Sequence, residues 1–352
     1  MSRTNSSFNR YFIIFILLLS LTLTGLACER GKDGGIGPKP NTKSGKKKKP
    51  PKQDVVTAPL DGVKVESRLA KRQAVAVMVE NLRSIRPQSG LSRASMVVEG
   101  QTEGGITRFM VVYQEKGASK IGPVRSARSH FVKLAKGLNA LYAHVGGSKF
   151  ALEDIKIYGV DDLNQFAYSS AFRRVKGVSA PHNVFTSTTL LRGAKKERDI
   201  TPPSFSFKSD DPKETRPQGQ KVAIDFSFPN YAVTWDYDQK TNSYLRFNGG
   251  LAHMDAENDS QLKAKNILIM ITPTRQIPGT KLLDIVVTGS GRLQVIRDGI
   301  VIEGRWSKAT VSSPLRLLDN LGQDIPLNRG QVWFELVPNA SKVKITTPVP
   351  KG

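Results

Sequence analysis

The stretch IGPVRSARSHFVKLAKGLNALYAHVGGS, Ile121–Ser148, decides how the first half of the chain is read. Val124, Ala127, Phe131 and Leu134 recur at helical spacing, which predicts an amphipathic helix that stops near Gly137. LYAHV, Leu141–Val145, is a short apolar run of strand type, and Gly146-Gly147-Ser148 then opens a second helix over Ser148–Ile155. Upstream, Arg108–Gln114 (RFMVVYQ), Ser95–Gly100 (SMVVEG) and Ala74–Glu80 (AVAVMVE) are three more buried-strand runs. Strands alternating with helices predict an α/β (α+β) layered domain over residues 55–200.

From Lys221 the pattern changes. KVAIDFS, YAVTWDY, SYLRF, NILIMIT, LLDIVVT, GRLQVI, IVIEGRW, QVWFELV and KVKIT follow one another as short strands, with Asp298-Gly299 a two-residue hairpin signal. This predicts a mainly antiparallel β-rich domain over residues 221–352, a sandwich or open barrel. The polar, proline-bearing residues 201–220 are the expected linker.

The chain has 352 residues, a net charge of +23 and a single cysteine. Such a charge points to a polyanionic partner, and one cysteine excludes an intrachain disulfide. The N-terminus sets the compartment. Arg3 and Arg10 precede an apolar run from Tyr11 to Gly25 that is too short to span a bilayer comfortably, and the cysteine, Cys28, follows in the sequence GLAC. Residues 1–28 therefore resemble a bacterial lipoprotein signal peptide, which implies lipidation (palmitate) at Cys28 and export to a membrane facing the periplasm or cell exterior. Residues 29–54 are rich in Gly, Pro and Lys and form a basic tether without enough apolar surface to fold. Lys46–Lys49 in that tether are attracted to an anionic leaflet by about 1 kcal/mol each. Export argues against nucleic acid as the partner.

The chemistry-bearing residues cluster in the first domain. At a strand-to-helix junction, free backbone N–H groups and the helix dipole favour an anion, and arginine forks add charge-assisted hydrogen bonds. Two junctions qualify, Gly122–Arg128 and Gly146–Ser148. Arg108, Arg125 and Arg128, with Gly146, Gly147 and Ser148, are the expected anion ligands, joined by Arg173, His182 and Asn183 in the loop FRRVKGVSAPHNVF. The bland alternative pairs Arg125 and Arg128 with Glu99 and Glu103 as a structural network. Glu99, Glu103 and His144 are the candidate catalytic set should the chain turn over a substrate. The four histidines lack metal-ligand spacing, GGS lacks a nucleophile-elbow pattern, and no cofactor motif is present.

In this order, RPQSGLS at Arg86, EGGITRF at Glu103, IGPVRSAR at Ile121, HVGGS at His144 and APHN at Ala180 resemble the YerB-like bacterial lipoproteins, a family defined by a domain of unknown function. AHMD at Ala252, RDGIVIEGRW at Arg297 and NRGQVWFELVP at Asn328 continue the resemblance. It implies an α/β then β-rich protein on a lipid anchor and supplies no activity. Ser95 stands where relatives often carry Asp. The expected function is a lipid-anchored envelope protein that binds a phosphate- or carboxylate-bearing ligand. The alternatives are a metal-dependent phosphoryl transferase or hydrolase acting on envelope polymers, and a scaffold for another envelope protein.

Overall fold

The structure, a computed structural model, describes residues 54–347 apart from Asp199 and Thr201. The signal segment, Cys28 and the tether up to Gln53 lie outside the described residues.

The centre of the fold is one ten-stranded sheet to which both halves of the sequence contribute. From the first half come β1 (Val75–Glu80), β2 (Met96–Gln101), β3 (Thr107–Tyr113), β4 (Leu141–His144) and β5 (Asp161–Asn164). A six-stranded sheet is built around β6 (Lys221–Asp225), β7 (Ala232–Asp238) and β8 (Ser243–Asn248). The second half then supplies β9 (Asn266–Ile271), β10 (Gly289–Arg297), β11 (Ile300–Lys308), β12 (Arg316–Leu318) and β13 (Val332–Val337) to the central sheet. A last strand, β14 (Val343–Thr346), returns to the edge of the smaller sheet beside β6. The order in the central sheet is β12-β11-β10-β9-β13-β2-β3-β1-β4-β5.

The seam between the halves is parallel: β13 pairs with β9 on one side and with β2 on the other. The expected linker at 201–220 thus separates two kinds of element in sequence but not two sheets in space. The β-rich second half expected from the sequence is split between two sheets: an antiparallel β6–β7–β8–β14 group lies on the central sheet while β9–β13 extend it. The cause is legible in burial. β9 and β13 are almost wholly apolar and buried on both faces, so both faces require cover.

Three layers result. On one face Val77, Val79, Val97 and Val111 pack against Val222, Ile224, Trp235 and Tyr244 of the smaller sheet. On the other, Met78, Val98 and Met110 pack against helix α1 (Ser129–Gly137) and helix α2 (Lys149–Ile157) through Phe131, Leu134, Ala135, Ala151 and Ile155. Each fully buried Leu- or Phe-sized side chain contributes about 1.5–3 kcal/mol, so the alternating in-and-out pattern fixes the register strongly. The hairpin between β10 and β11 is as read: Asp298 and Gly299 both have positive φ, 52° and 76°.

The segment before α1 differs from expectation. The helix begins at Ser129, with Arg128 as its extended N-cap residue, and Val124–Ala127 is not helical. The backbone there is claimed by the sheet: Arg125 N–H donates to Met78 O (2.9 Å), Val145 N–H to Arg125 O (3.1 Å) and Ala127 N–H to Gly146 O (3.0 Å). Residues 124–127 therefore wedge between the ends of β1 and β4. Gly122 enters this wedge at φ 144°, and a Cβ there would lie 3.0 Å from the Phe185 ring and from Val184 O. Glycine is required by both conformation and space.

Candidate functional site

β1, β4 and β5 are parallel, so Glu80, His144 and Asn164 all end strands at one edge of the sheet. Arg108 starts the antiparallel β3 opposite Glu80. Ligands of open α/β sheets bind at such an edge. The wedge carries Arg125 and Arg128 across it.

These arginines are neutralised by the protein. Arg125 Nε lies 3.1 Å from Glu80 Oε1, while His182 Nδ1 is 2.7 Å from Glu80 Oε2. A carboxylate only accepts, so His182 carries its proton on Nδ1. Arg128 donates through Nε to Glu103 Oε2 (2.8 Å) and through Nη2 to Glu103 Oε1. Arg108 Nη2 stands 3.7 Å from the same oxygen, and its Nη1 donates to Ser126 O (3.3 Å). Burial alone would raise the Glu103 carboxyl, but the hydrogen bond and charge of Arg128, with Arg108, hold it at about 2. Burial, and then the Arg128 charge, push Arg108 down to about 10. Pairing of Arg128 with Glu103 follows the structural alternative, but the carboxylate for Arg125 is Glu80 rather than Glu99.

Most of the glycine turn is also occupied. Gly146 N–H donates to Asn164 Oδ1 (3.1 Å) and Ser148 N–H to Ala127 O (3.4 Å), so neither is left for an anion. The bridge of Gly147 to Ala127 runs through Gly146 O and Ser148 N–H, so the Gly147 N–H is the one turn donor with no partner among the described residues. Ser148 Oγ caps α2 by accepting from Ala151 N–H (3.3 Å). Arg173 donates to Ser170 O and Phe172 O of its own loop, and Asn183 Oδ1 accepts from Arg174 (2.8 Å).

Glu99, Glu103 and His144 do not form a set. His144 is held between Gly146 O (2.7 Å) and Asp162 Oδ1 (2.8 Å). Glu103 belongs to Arg128. Glu99 is fully buried in the interior, where it accepts from Thr107 Oγ1 (2.5 Å), Asn81 Nδ2 (3.2 Å) and Arg246 Nη2. Among the described residues no three His, Cys, Asp or Glu side chains converge as a metal site. Ser95 Oγ donates to Glu115 Oε2 (2.8 Å), away from all of these.

The turn Arg83–Gln88, marked in the sequence by RPQSG but not counted among the expected ligands, carries a further group of residues. Two cavities, of about 230 and 520 Å³, share Arg86 and Pro87 as a common wall. The smaller is also lined by Arg83, Asn248, Leu251 and His253, and the larger by Lys120, Ser179, His182 and Phe185. Neither lining contains Asp or Glu. Arg83, Arg86 and Lys120 have no carboxylate at ion-pair distance among the described residues, in contrast to Arg108, Arg125 and Arg128. Of the nearby acids, Glu80 is taken by Arg125 and His182, and Glu257 accepts from the backbone N–H of Ser119 (2.7 Å) and Lys120 (3.3 Å).

Arg86 is fixed in place. It donates Nε to Asn81 Oδ1 (2.8 Å), Nη2 to Asn81 O (3.1 Å) and Nη1 to Asn230 O (2.8 Å), and it lies 5.3 Å over the Tyr231 ring. A guanidinium has five N–H donors, so two remain. Burial draws its pKa below the usual arginine value, though Glu99 opposes this. Asn81 passes the network inward to Glu99, and Glu99 to Arg246. Arg246, fully buried, also donates to Glu335 Oε1 (2.8 Å) and His253 Nδ1 (3.0 Å) and lies 4.5 and 4.9 Å from the rings of Trp333 and Trp235. Burial holds His253 neutral, and its Nε2–H donates to Gln88 Oε1 (2.8 Å). The cleft wall is thus the outer end of a hydrogen-bonded chain rooted in the core. RPQSG marked the turn in sequence, but pairing state, which separates Arg86 from Arg125, has no sequence signal.

Residues 60–201 match the N-terminal domain, and residues 222–334 the C-terminal domain, of a family described as protein of unknown function (DUF3048). The chain is 31% identical over 298 residues to the putative lipoprotein YerB of Bacillus subtilis (strain 168), covering 82% of this chain and 88% of that protein. The crystal structure of YerB from Bacillus subtilis superposes with a TM-score of 0.75 at 29% identity, over 83% of this chain and all of that one.

Proposed function

The chain belongs to the DUF3048 family, and from the chemistry of its cleft we propose that it is an exported lipoprotein that binds a phosphate- or carboxylate-bearing envelope ligand at Arg86. One observation carries this reading: Arg83, Arg86 and Lys120 line a concave surface without Asp or Glu, and among the described residues none of the three has a carboxylate at ion-pair distance. Unpaired cations in a cleft raise the local concentration of an anion and exchange water for charge-assisted hydrogen bonds when it arrives.

Arg108, Arg125 and Arg128 take a supporting part here. Arg125 and Glu80 hold His182 at the cleft wall, and Arg128 with Glu103 anchors the start of α1. The anchor is the acyl group expected on Cys28, the name of the Bacillus relative agrees with that address, and no helix of the described residues is long and apolar enough to cross a membrane. The Lys46–Lys49 tether keeps the folded part near an anionic surface.

The test is equilibrium binding of a glycerol-phosphate oligomer to the full chain in nonionic detergent. Loss of Arg86 removes charged hydrogen bonds of about 1.5–3 kcal/mol, so Arg86→Ala weakens binding roughly 10- to 100-fold. Unaltered affinity in Arg86→Ala would overturn the reading.

A further inference from the structure

The two cavities lie on either side of one arginine, and that shape restricts the ligand. We infer that the cleft takes a linear polyol-phosphate chain, with one phosphodiester at Arg86 and its neighbours reaching Arg83 on one side and Lys120 on the other. This rests on the anion-binding reading of the same cleft and narrows it to a substrate class.

Three observations lead there. First, the cations are distributed along the cleft: Arg83 belongs to the smaller cavity, Lys120 to the larger, and Arg86 to both. A single small anion needs one of them, whereas a chain with a charge in each repeat meets all three. Together the cavities fall in the roughly 300–1,000 Å³ range that suits a ligand of several units rather than a free phosphate.

Second, Asn248, 3% exposed, lines the smaller cavity, and its Oδ1 has no hydrogen-bond partner among the described residues. Its Nδ2 is spent on Asn81 Oδ1 (3.2 Å). An orphaned buried acceptor needs a donor. Phosphodiesters and carboxylates are acceptors only, so the ligand carries a hydroxyl close to the group held by Arg86. A polyol phosphate has that pair of groups.

Third, the linings disfavour the other polymers. Asn248 is their one amide side chain and they hold no carboxylate, whereas sugar rings are read by several such groups. Phe185 is the aromatic side chain of the linings and lies under Lys120, whose Nζ is 5.1 Å from the ring centroid, so bases have no open stacking platform.

The experiment titrates the full chain in nonionic detergent with glycerol 3-phosphate and with glycerol-phosphate oligomers of increasing length, across a salt series. Parallel arms use oligo(dT) with matched phosphate number and micelles doped with phosphatidylglycerol, which offers one glycerol phosphodiester on a lipid. Affinity is expected to rise at least tenfold from monomer to an oligomer that fills both cavities and then to level. The salt slope is expected to steepen by about 0.7–0.9 for each phosphate engaged. Arg83→Ala and Lys120→Ala weaken the oligomer more than the monomer, by a margin that grows with oligomer length, which separates the cleft from the basic tether. Equal affinity for monomer and oligomer, tighter binding of oligo(dT), or saturation by the doped micelles alone overturns the chain assignment while leaving an anion site. Monomer binding indifferent to Arg86→Ala overturns the site itself.

Discussion

Arg246→Met is the perturbation that tests how the two halves are joined. Arg246 lies on β8 of the smaller sheet, whereas its acidic partners, Glu99 on β2 and Glu335 on β13, face each other across the parallel seam of the central sheet. All three side chains are fully buried. Methionine keeps much of the volume between Trp235 and Trp333 but removes the charge. The Glu99 carboxylate then loses its counter-ion, and breaking a buried pair in this way costs about 3–5 kcal/mol. With an unfolding entropy of about 2.1 cal/mol/K per residue, that corresponds to a fall in Tm of roughly 5–8 °C. Urea unfolding of the full chain measures it, and the companion variant Arg246→Met/Glu99→Gln/Glu335→Gln separates charge from packing. If stranded charge is the cause, the triple variant regains most of the loss. A single variant within about 1 kcal/mol of the wild type, or a triple variant that is no better, would refute the reasoning.

The remaining predictions concern the same core and the wedge. Burial pushes Glu335 up, Arg246 opposes it and Glu99 pushes it further, to about 8, so the folded state holds that proton more tightly than the unfolded chain. The stability this confers is complete below about pH 4.5 and is lost as pH rises through about 8; Glu335→Gln is expected to flatten the dependence of urea midpoint on pH across that window, by about 2–4 kcal/mol. Gly122→Ala forces a side chain into φ 144° against Phe185 and Val184 O, and is expected to cost about 1–3 kcal/mol by thermal unfolding. A fully stable Gly122→Ala chain would contradict that account of the wedge.

The strands were legible because burial on two faces leaves a continuous apolar run, as in Val75–Glu80, and turn chemistry such as Asp298-Gly299 marks where they reverse. What periodicity could not convey is which strands meet. NILIMIT and QVWFELV look the same whether they close a separate barrel or extend another sheet, and only long-range pairing with β2 decides it. At the site, Val124, Ala127, Phe131 and Leu134 fit a helix, but the first two follow the sheet because Met78 and Gly146 claim the backbone between them. Arg125, Arg128 and His144 stand at one strand edge, whereas Glu99 is buried in the core. Which arginines are free there depends on Glu80 and Glu103, which approach from other strands and turns, so charge counting along the chain could not rank Arg86 above Arg125.

The central claim is that the anion meets unpaired arginines and not paired ones. It is tested most directly by a head-to-head titration of one glycerol-phosphate oligomer against Arg83→Ala/Arg86→Ala and Arg125→Ala/Arg128→Ala, with folding checked by circular dichroism. The account predicts a loss of at least 30-fold in the first pair, on the order of 2 kcal/mol, and less than threefold in the second. The reverse ranking would return the site to the wedge and contradict it.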